Sequence, residues 1–159
     1  EFGDFFLHLE FKEPYMPNAH GQARGNSGIG LHGRYEIQVL DSYGIADPVE
    51  GDCGAVYNQA APLVNACKPP LQWQTYDIVF RAPRFDAAGS VVEKPRVTVI
   101  QNGIVVQNNQ EIMAPTGIQS RQERGMTKTG PIVLQYHENS VQFRNIRVVP
   151  LPPHGAEHY

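Results

Sequence analysis

The chain has 159 residues, a formal net charge of −3, 41% hydrophobic residues and 18% charged residues. That balance excludes a disordered chain and leaves no basic surplus to displace counterions from a nucleic acid backbone. No apolar run approaches the roughly 18 residues of a membrane span, so membrane insertion is not expected.

Alternation begins at once. In Phe5-Phe6-Leu7-His8-Leu9-Glu10-Phe11-Lys12 every odd position is apolar, and polar residues fill the even positions from His8 onward. This is the pattern of a half-buried antiparallel strand. Residues 13–25 are rich in Pro, Gly and Asn and read as a loop. Gly21 and Gly25 bracket a short stretch there, but it follows a loop rather than a strand, which argues against a phosphate cradle. Residues 26–32 form a Gly-laced extended segment. Arg34 to Val39 alternates again, with Tyr35, Ile37 and Val39 on one side and Arg34, Glu36 and Gln38 on the other.

Residues 41–71 form a long irregular stretch, a kind of segment that more often carries function than not. Both cysteines lie in it. A Cys53–Cys67 disulfide is expected; it would close a loop of about 15 residues, contribute roughly 3 kcal/mol and imply an oxidising compartment. Trp73 to Arg81 reads as a strand ended by Ala82-Pro83. Arg96 to Gln101 is a strand, Asn102-Gly103 a hairpin turn, and Ile104 to Gln107 the return. Residues 108–130 read as a polar loop, 132–137 as a strand, and Glu138-Asn139-Ser140 as a turn. The last strand, 141–151, slips in phase: Phe143 faces inward by one count, Ile146 and Val148 by the other. A bulge near Arg144-Asn145 reconciles them.

No segment of 10 or more residues has helical periodicity. Strands at short intervals with 15 Gly and 13 Pro predict an all-β sandwich or barrel. The length suits two stacked antiparallel sheets of about five to seven strands each, in one domain over 1–151 with a tail at 152–159. The chain starts inside a strand, which fits a mature chain or a piece of a larger protein.

A sandwich sends each strand's polar face outward. His8 and Glu10, then Arg34, Glu36 and Gln38, then Gln135 and His137 would converge on one surface if their strands shared a sheet. Imidazole, carboxylate, guanidinium and amide groups together suit a saccharide, with an acid or base among them. Glycine at 28 allows a close backbone approach. Trp73 is either core or a sugar-stacking platform. Glu36 and Asp41 are five apart and do not form a carboxylate ladder, so direct two-carboxylate hydrolysis is not indicated. No H-x-H or H-E-x-x-H zinc motif and no G-x-S-x-G nucleophile elbow occurs.

The runs Arg24-Gly25-Asn26-Ser27-Gly28 and Arg34-Tyr35-Glu36-Ile37-Gln38-Val39-Leu40-Asp41-Ser42 resemble the signature of the 3-keto-disaccharide hydrolase domain family. Cys53-Gly54-Ala55-Val56-Tyr57, Trp73-Gln74-Thr75-Tyr76-Asp77-Ile78, Gly130 to Gln135 with His137, and Phe143-Arg144-Asn145-Ile146 agree in the family's order. The chain departs from the family's usual pattern at His32, Tyr136, Glu138 and Arg147. The resemblance implies a concanavalin A-like jelly roll, secreted or periplasmic in bacteria, with a sugar site on its concave sheet.

It also implies chemistry on glycosides already oxidised at C3. A base, His137 or Glu36, removes the C2 proton. An electrophile, Arg34, Arg144 or a bound divalent metal ion, steadies the enolate. An acid, Glu10 or His8, helps the aglycone leave. Asn26, Gln38, Gln135 and Tyr57 are the further substrate-binding candidates. Two other classes stand beside the enzyme: a carbohydrate-binding module with no chemistry, and an extracellular structural subunit that self-associates on the same scaffold.

Overall fold

The computed structural model describes residues 1–117 and 125–152. Ten strands form in chain order: β1 (Phe5–Lys12), β2 (Ser27–Leu31), β3 (Tyr35–Val39), β4 (Gln74–Arg81), β5 (Arg84–Phe85), β6 (Val91–Glu93), β7 (Arg96–Gln101), β8 (Ile104–Glu111), β9 (Val133–Leu134) and β10 (Gln142–Pro150). A short 3-10 turn spans Gly21–Ala23, and no α-helix occurs among the described residues. Every strand pairing is antiparallel. β10-β1-β4-β7-β8 form a five-stranded sheet and β3-β2-β9 a three-stranded one; β5 and β6 pair separately.

The alternation in β1 is realised residue by residue. Phe5, Leu7, Leu9 and Phe11 are fully buried, while Phe6, His8, Glu10 and Lys12 are half-exposed. Each such buried side chain contributes roughly 1.5–3 kcal/mol. β4 adds Tyr76, Ile78 and Phe80 to the same core, and β7 adds Val97 and Val99. The Phe5 and Phe80 rings lie 5.2 Å apart by centroid, Phe11 and Tyr76 4.6 Å. Facing them across the core are Ile29 and Leu31 of β2 and Tyr35, Ile37 and Val39 of β3.

The hairpin turns where Asn-Gly predicts: Asn102 and Gly103 both have positive φ, and β7 and β8 meet there. The bulge in β10 lies one residue beyond its expected place. His8 pairs with Arg147 and Glu10 with Arg144, so Asn145 and Ile146 together oppose Leu9. Phe143 and Val148 then both pack against the core. Ile146, expected inside, is 49% exposed.

The smaller sheet departs from the expected five to seven strands. Within the 132–137 segment the strand proper is only Val133–Leu134. Instead, a stretch of the 41–71 loop lies along β3. Gly54 N donates to Gln38 O, Gln38 N to Ala55 O and Tyr57 N to Glu36 O, each at 3.0 Å. This loop is therefore ordered as an extra flank for β3.

The expected disulfide is absent: Cys53 and Cys67 are free thiols. Gln101 Nε2 lies 3.5 Å from the Cys53 sulfur and 3.4 Å from that of Cys67, and the Tyr76 hydroxyl is 3.1 Å from Cys53. The two thiols hydrogen-bond each other, with the Gln101 amide and the Tyr76 hydroxyl beside them, where a covalent bond was expected. The residues after 152 lie outside the described residues.

Candidate functional site

Glu36 and Gln38 point away from the core, as alternation requires, yet they do not face water. Glu36 is 2% exposed and Gln38 1%. Two glycines make room for the Glu36 carboxylate. Gly28 sits on β2 beside β3, and Gly117 (φ +47°) approaches from the 112–117 segment; a Cβ at either would overlap the carboxylate. Thr116 Oγ1 accepts a 2.8 Å hydrogen bond from Glu36 N, tying that segment to β3. Among the described residues no group hydrogen-bonds the carboxylate itself. Burial without compensating donors lifts the Glu36 carboxyl to about 7.

Around this acid the structure gathers amides. Gln38 Nε2 donates to Gln22 Oε1 at 3.0 Å and to Asn26 Oδ1 at 3.4 Å. Asn26 Nδ2 donates to Gln22 O at 2.7 Å, and Gln22 Nε2 to Gly51 O at 2.8 Å. On the other side of Gly28, Gln135 N donates to Gly28 O at 2.9 Å and Ser27 Oγ donates to Gln135 O at 2.6 Å. The side-chain oxygens of Gln38 and Gln135 are buried with no partner among the described residues. Unpaired buried acceptors are costly, about 1–3 kcal/mol each, and they are suited to receive a ligand's hydroxyl protons. The Tyr57 ring lies against Gly117 beside Glu36.

Asn26, Glu36, Gln38, Gln135 and Tyr57 are thus neighbours. His137 is exposed on the turn after Gln135. Asn139 fixes that turn: its Nδ2 donates to His137 O at 2.8 Å and its Oδ1 accepts from Asn26 N at 3.1 Å.

The expected single surface does not include His8, Glu10 or Arg144. His8 and Glu10 lie on β1, in the five-stranded sheet, because Leu7 and Leu9 turn toward the smaller sheet and drive the even positions to the opposite outer face. His8 Nδ1 donates to Asp77 Oδ1 at 2.7 Å. Glu10 accepts from Arg144 Nε at 2.7 Å and from Asn145 Nδ2 at 2.6 Å, which together hold its carboxyl below the usual range. Arg144 belongs to that face too, with its guanidinium 3.9 Å above the Trp73 ring centroid. Lys12 Nζ is 4.9 Å from the same ring. Trp73 is therefore occupied by cations rather than open as a sugar platform. Arg34 begins the β3 turn, where its guanidinium donates to Gly125 O at 2.9 Å and His32 O at 3.1 Å.

Gln22, Thr116 and Gly117 were not among the expected site residues. Gln22 sits in a polar loop with no periodic signal, and residues 116–117 reach Glu36 only through tertiary packing. No group of three or more His, Cys, Asp or Glu positioned to hold a metal ion occurs among the described residues.

A second buried acid lies deeper. Glu13 is 1% exposed, and both its oxygens accept from Gln74 Nε2, at 3.0 and 2.8 Å. Burial pushes its carboxyl up to about 9. It is neutral at pH 7 and serves the core, not the surface.

A family model described as a 3-keto-alpha-glucoside-1,2-lyase-like domain matches residues 1–149. A crystal structure of a putative glycosyl hydrolase from Parabacteroides distasonis ATCC 8503 is 42% identical with a TM-score of 0.84. The match covers 94% of this chain and 65% of that one, so the chain spans about two thirds of that relative's length. Two further structures of putative glycosyl hydrolases from the same organism share the fold. One has 20% identity and a TM-score of 0.58, covering 94% of this chain and 79% of that one. The other has 16% identity and a TM-score of 0.62, covering 95% and 73%. No curated protein matches the chain.

Proposed function

We propose that this chain, which belongs to the 3-keto-alpha-glucoside-1,2-lyase-like domain family, cleaves glycosides oxidised at C3 by elimination across C1 and C2. The scaffold would be a concanavalin-like jelly roll, and the saccharide would lie over the Glu36 side of the smaller sheet. The observation that carries this reading is the Glu36 carboxylate. It is buried between Gly28 and Gly117 without a hydrogen-bond donor among the described residues, and its carboxyl is lifted to about 7. A base poised near working pH is what abstraction of a ketone-acidified proton needs.

Glu36 takes the C2 proton. The C2–H electron pair passes into an enolate on the C3 oxygen. As the carbonyl re-forms, the pair returns to make the C1–C2 double bond, and the C1–O bond to the aglycone breaks. Water then adds across C1–C2 to give the free 3-keto sugar. The Tyr57 hydroxyl and the Gln135 amide are the donors we assign to the enolate oxygen. The unpaired oxygens of Gln38 and Gln135 accept from sugar hydroxyls. His137, on the turn pinned by Asn139, hands a proton to the departing oxygen.

The test follows aglycone release from a 4-nitrophenyl 3-keto-glucoside. Release by the natural chain that drops about 10³-fold in Glu36→Gln, the scale of general-base catalysis, supports the assignment. Release untouched by that substitution overturns it. Tight binding of unoxidised glycan with no release would mark a carbohydrate-binding module instead.

A further inference from the structure

His8, which does not join the Glu36 site, lines a groove of its own. It lies on the outer face of the five-stranded sheet, has a volume of about 670 Å³, and is lined by Phe6, His8, Asp77, Asn145, Ile146 and Arg147. That volume falls within the range of small-molecule sites. We propose that this groove is a second, non-catalytic carbohydrate site that holds an unoxidised disaccharide unit.

The groups left free are those a vicinal diol requires. His8 Nδ1 is committed to Asp77 Oδ1 at 2.7 Å, which leaves His8 Nε2 and Asp77 Oδ2 without partners among the described residues. Asn145 Nδ2 is committed to Glu10, which leaves its Oδ1. Arg147 stands directly opposite His8 in the β1–β10 register, and its guanidinium makes no hydrogen bond or ion pair among the described residues. The groove thus offers donors from His8 and Arg147 and acceptors from Asp77 and Asn145. Each hydroxyl of a sugar can donate once and accept as well, so alternating donors and acceptors suit adjacent hydroxyls better than they suit a lone anion or cation. The charges agree: Arg147 and Asp77 cancel, and no net charge selects for an ion.

The apolar half of a pyranose also has a place. Phe6 is half-buried in the lining, and Ile146 is 49% exposed there. Ile146 is outside only because the β10 bulge sets two residues against Leu9. Bulges recur where a strand must re-aim a side chain, and this one delivers Asn145 and Ile146 to the groove together. The His8–Asp77 pair, bridging neighbouring strands, fixes the opposite wall.

The choice of a sugar as ligand rests on the glycoside reading above; the groove's geometry does not. The full chain would be titrated with maltose, cellobiose and trehalose, following the histidine ring and backbone amide signals by NMR. The expected result is that at least one disaccharide shifts His8 and Asn145, with Kd raised about tenfold in Arg147→Ala and in Asp77→Asn. Glu36→Gln retains that binding, and Arg147→Ala retains aglycone release from the 3-keto-glucoside. If none of the three sugars perturbs the groove, or if Arg147→Ala leaves the shifts intact, the proposal is overturned. Arg147 is exposed, so that variant does not depend on refolding a core. Release without groove binding sinks this site alone, whereas groove binding without release sinks the catalytic reading alone.

Discussion

β1 and β3 carry the same instruction and meet different fates. Both alternate apolar and polar residues, and both send the apolar set into one shared core. The polar set of β1 emerges half-exposed, and Glu10 is held ionised by Arg144 and Asn145. The polar set of β3 emerges under a second covering made by Gln22, Tyr57 and residues 116–117, and Glu36 is lifted to about 7. Alternation reports which side of a strand faces the core. What lies over the other side decides whether a carboxylate is a surface charge or a base.

Substitutions at the two acids should separate these regimes. Glu36→Gln is expected to lower aglycone release about 10³-fold, while Glu10→Gln leaves it unchanged; equal losses would erase the distinction. Gly28→Ala comes next. Its Cβ meets the Glu36 carboxylate and must displace it, so urea unfolding should show a loss of about 1–3 kcal/mol, together with loss of release.

The pH profiles sharpen the same contrast. Glu36 acts as the base, so kcat/KM should fall tenfold per pH unit below about 7 and level off above it. Stability runs the other way. Glu36 and Glu13 both have raised carboxyls, so each stabilises most below the ordinary glutamate value of 4.5. That contribution is lost as pH rises, through about 7 for Glu36 and about 9 for Glu13. Thermal melts between pH 7 and 9 should therefore show a decline in Tm that Glu13→Gln flattens. The smallest expected effect is on the open face, where Glu10→Gln should leave Tm where it was.

Much of this fold was legible in the chain. β1, β7 and the 102–103 turn follow from alternation and from Asn-Gly, because one buried face fixes both period and register. The β10 bulge was legible from the clash between Phe143 and Val148, although Ile146 went out rather than in. Asn26, Glu36, Gln38, Gln135 and Tyr57 were nameable from the family's motifs, and they do cluster. His8, Glu10 and Arg144 were assigned to the same hollow because every outward residue looks alike in one dimension; which sheet a strand joins is set by pairing far along the chain. Gln22 and Thr116 reach the site from loops, where no periodicity speaks for them. The thiols at 53 and 67 gave no hint that an amide from β7 would reach both of them.

The Gly54–Tyr57 stretch has one last consequence. By lining the flank of β3 that β2 leaves open, it fills the margin where a foreign chain would otherwise add itself. The far rim of that sheet, β9, offers two residues. In the larger sheet Leu63 N caps Val106 O on the β8 rim, so fibril nucleation, under conditions that provoke it, is expected to start at the other rim, β10, where Ile146 and Val149 are exposed.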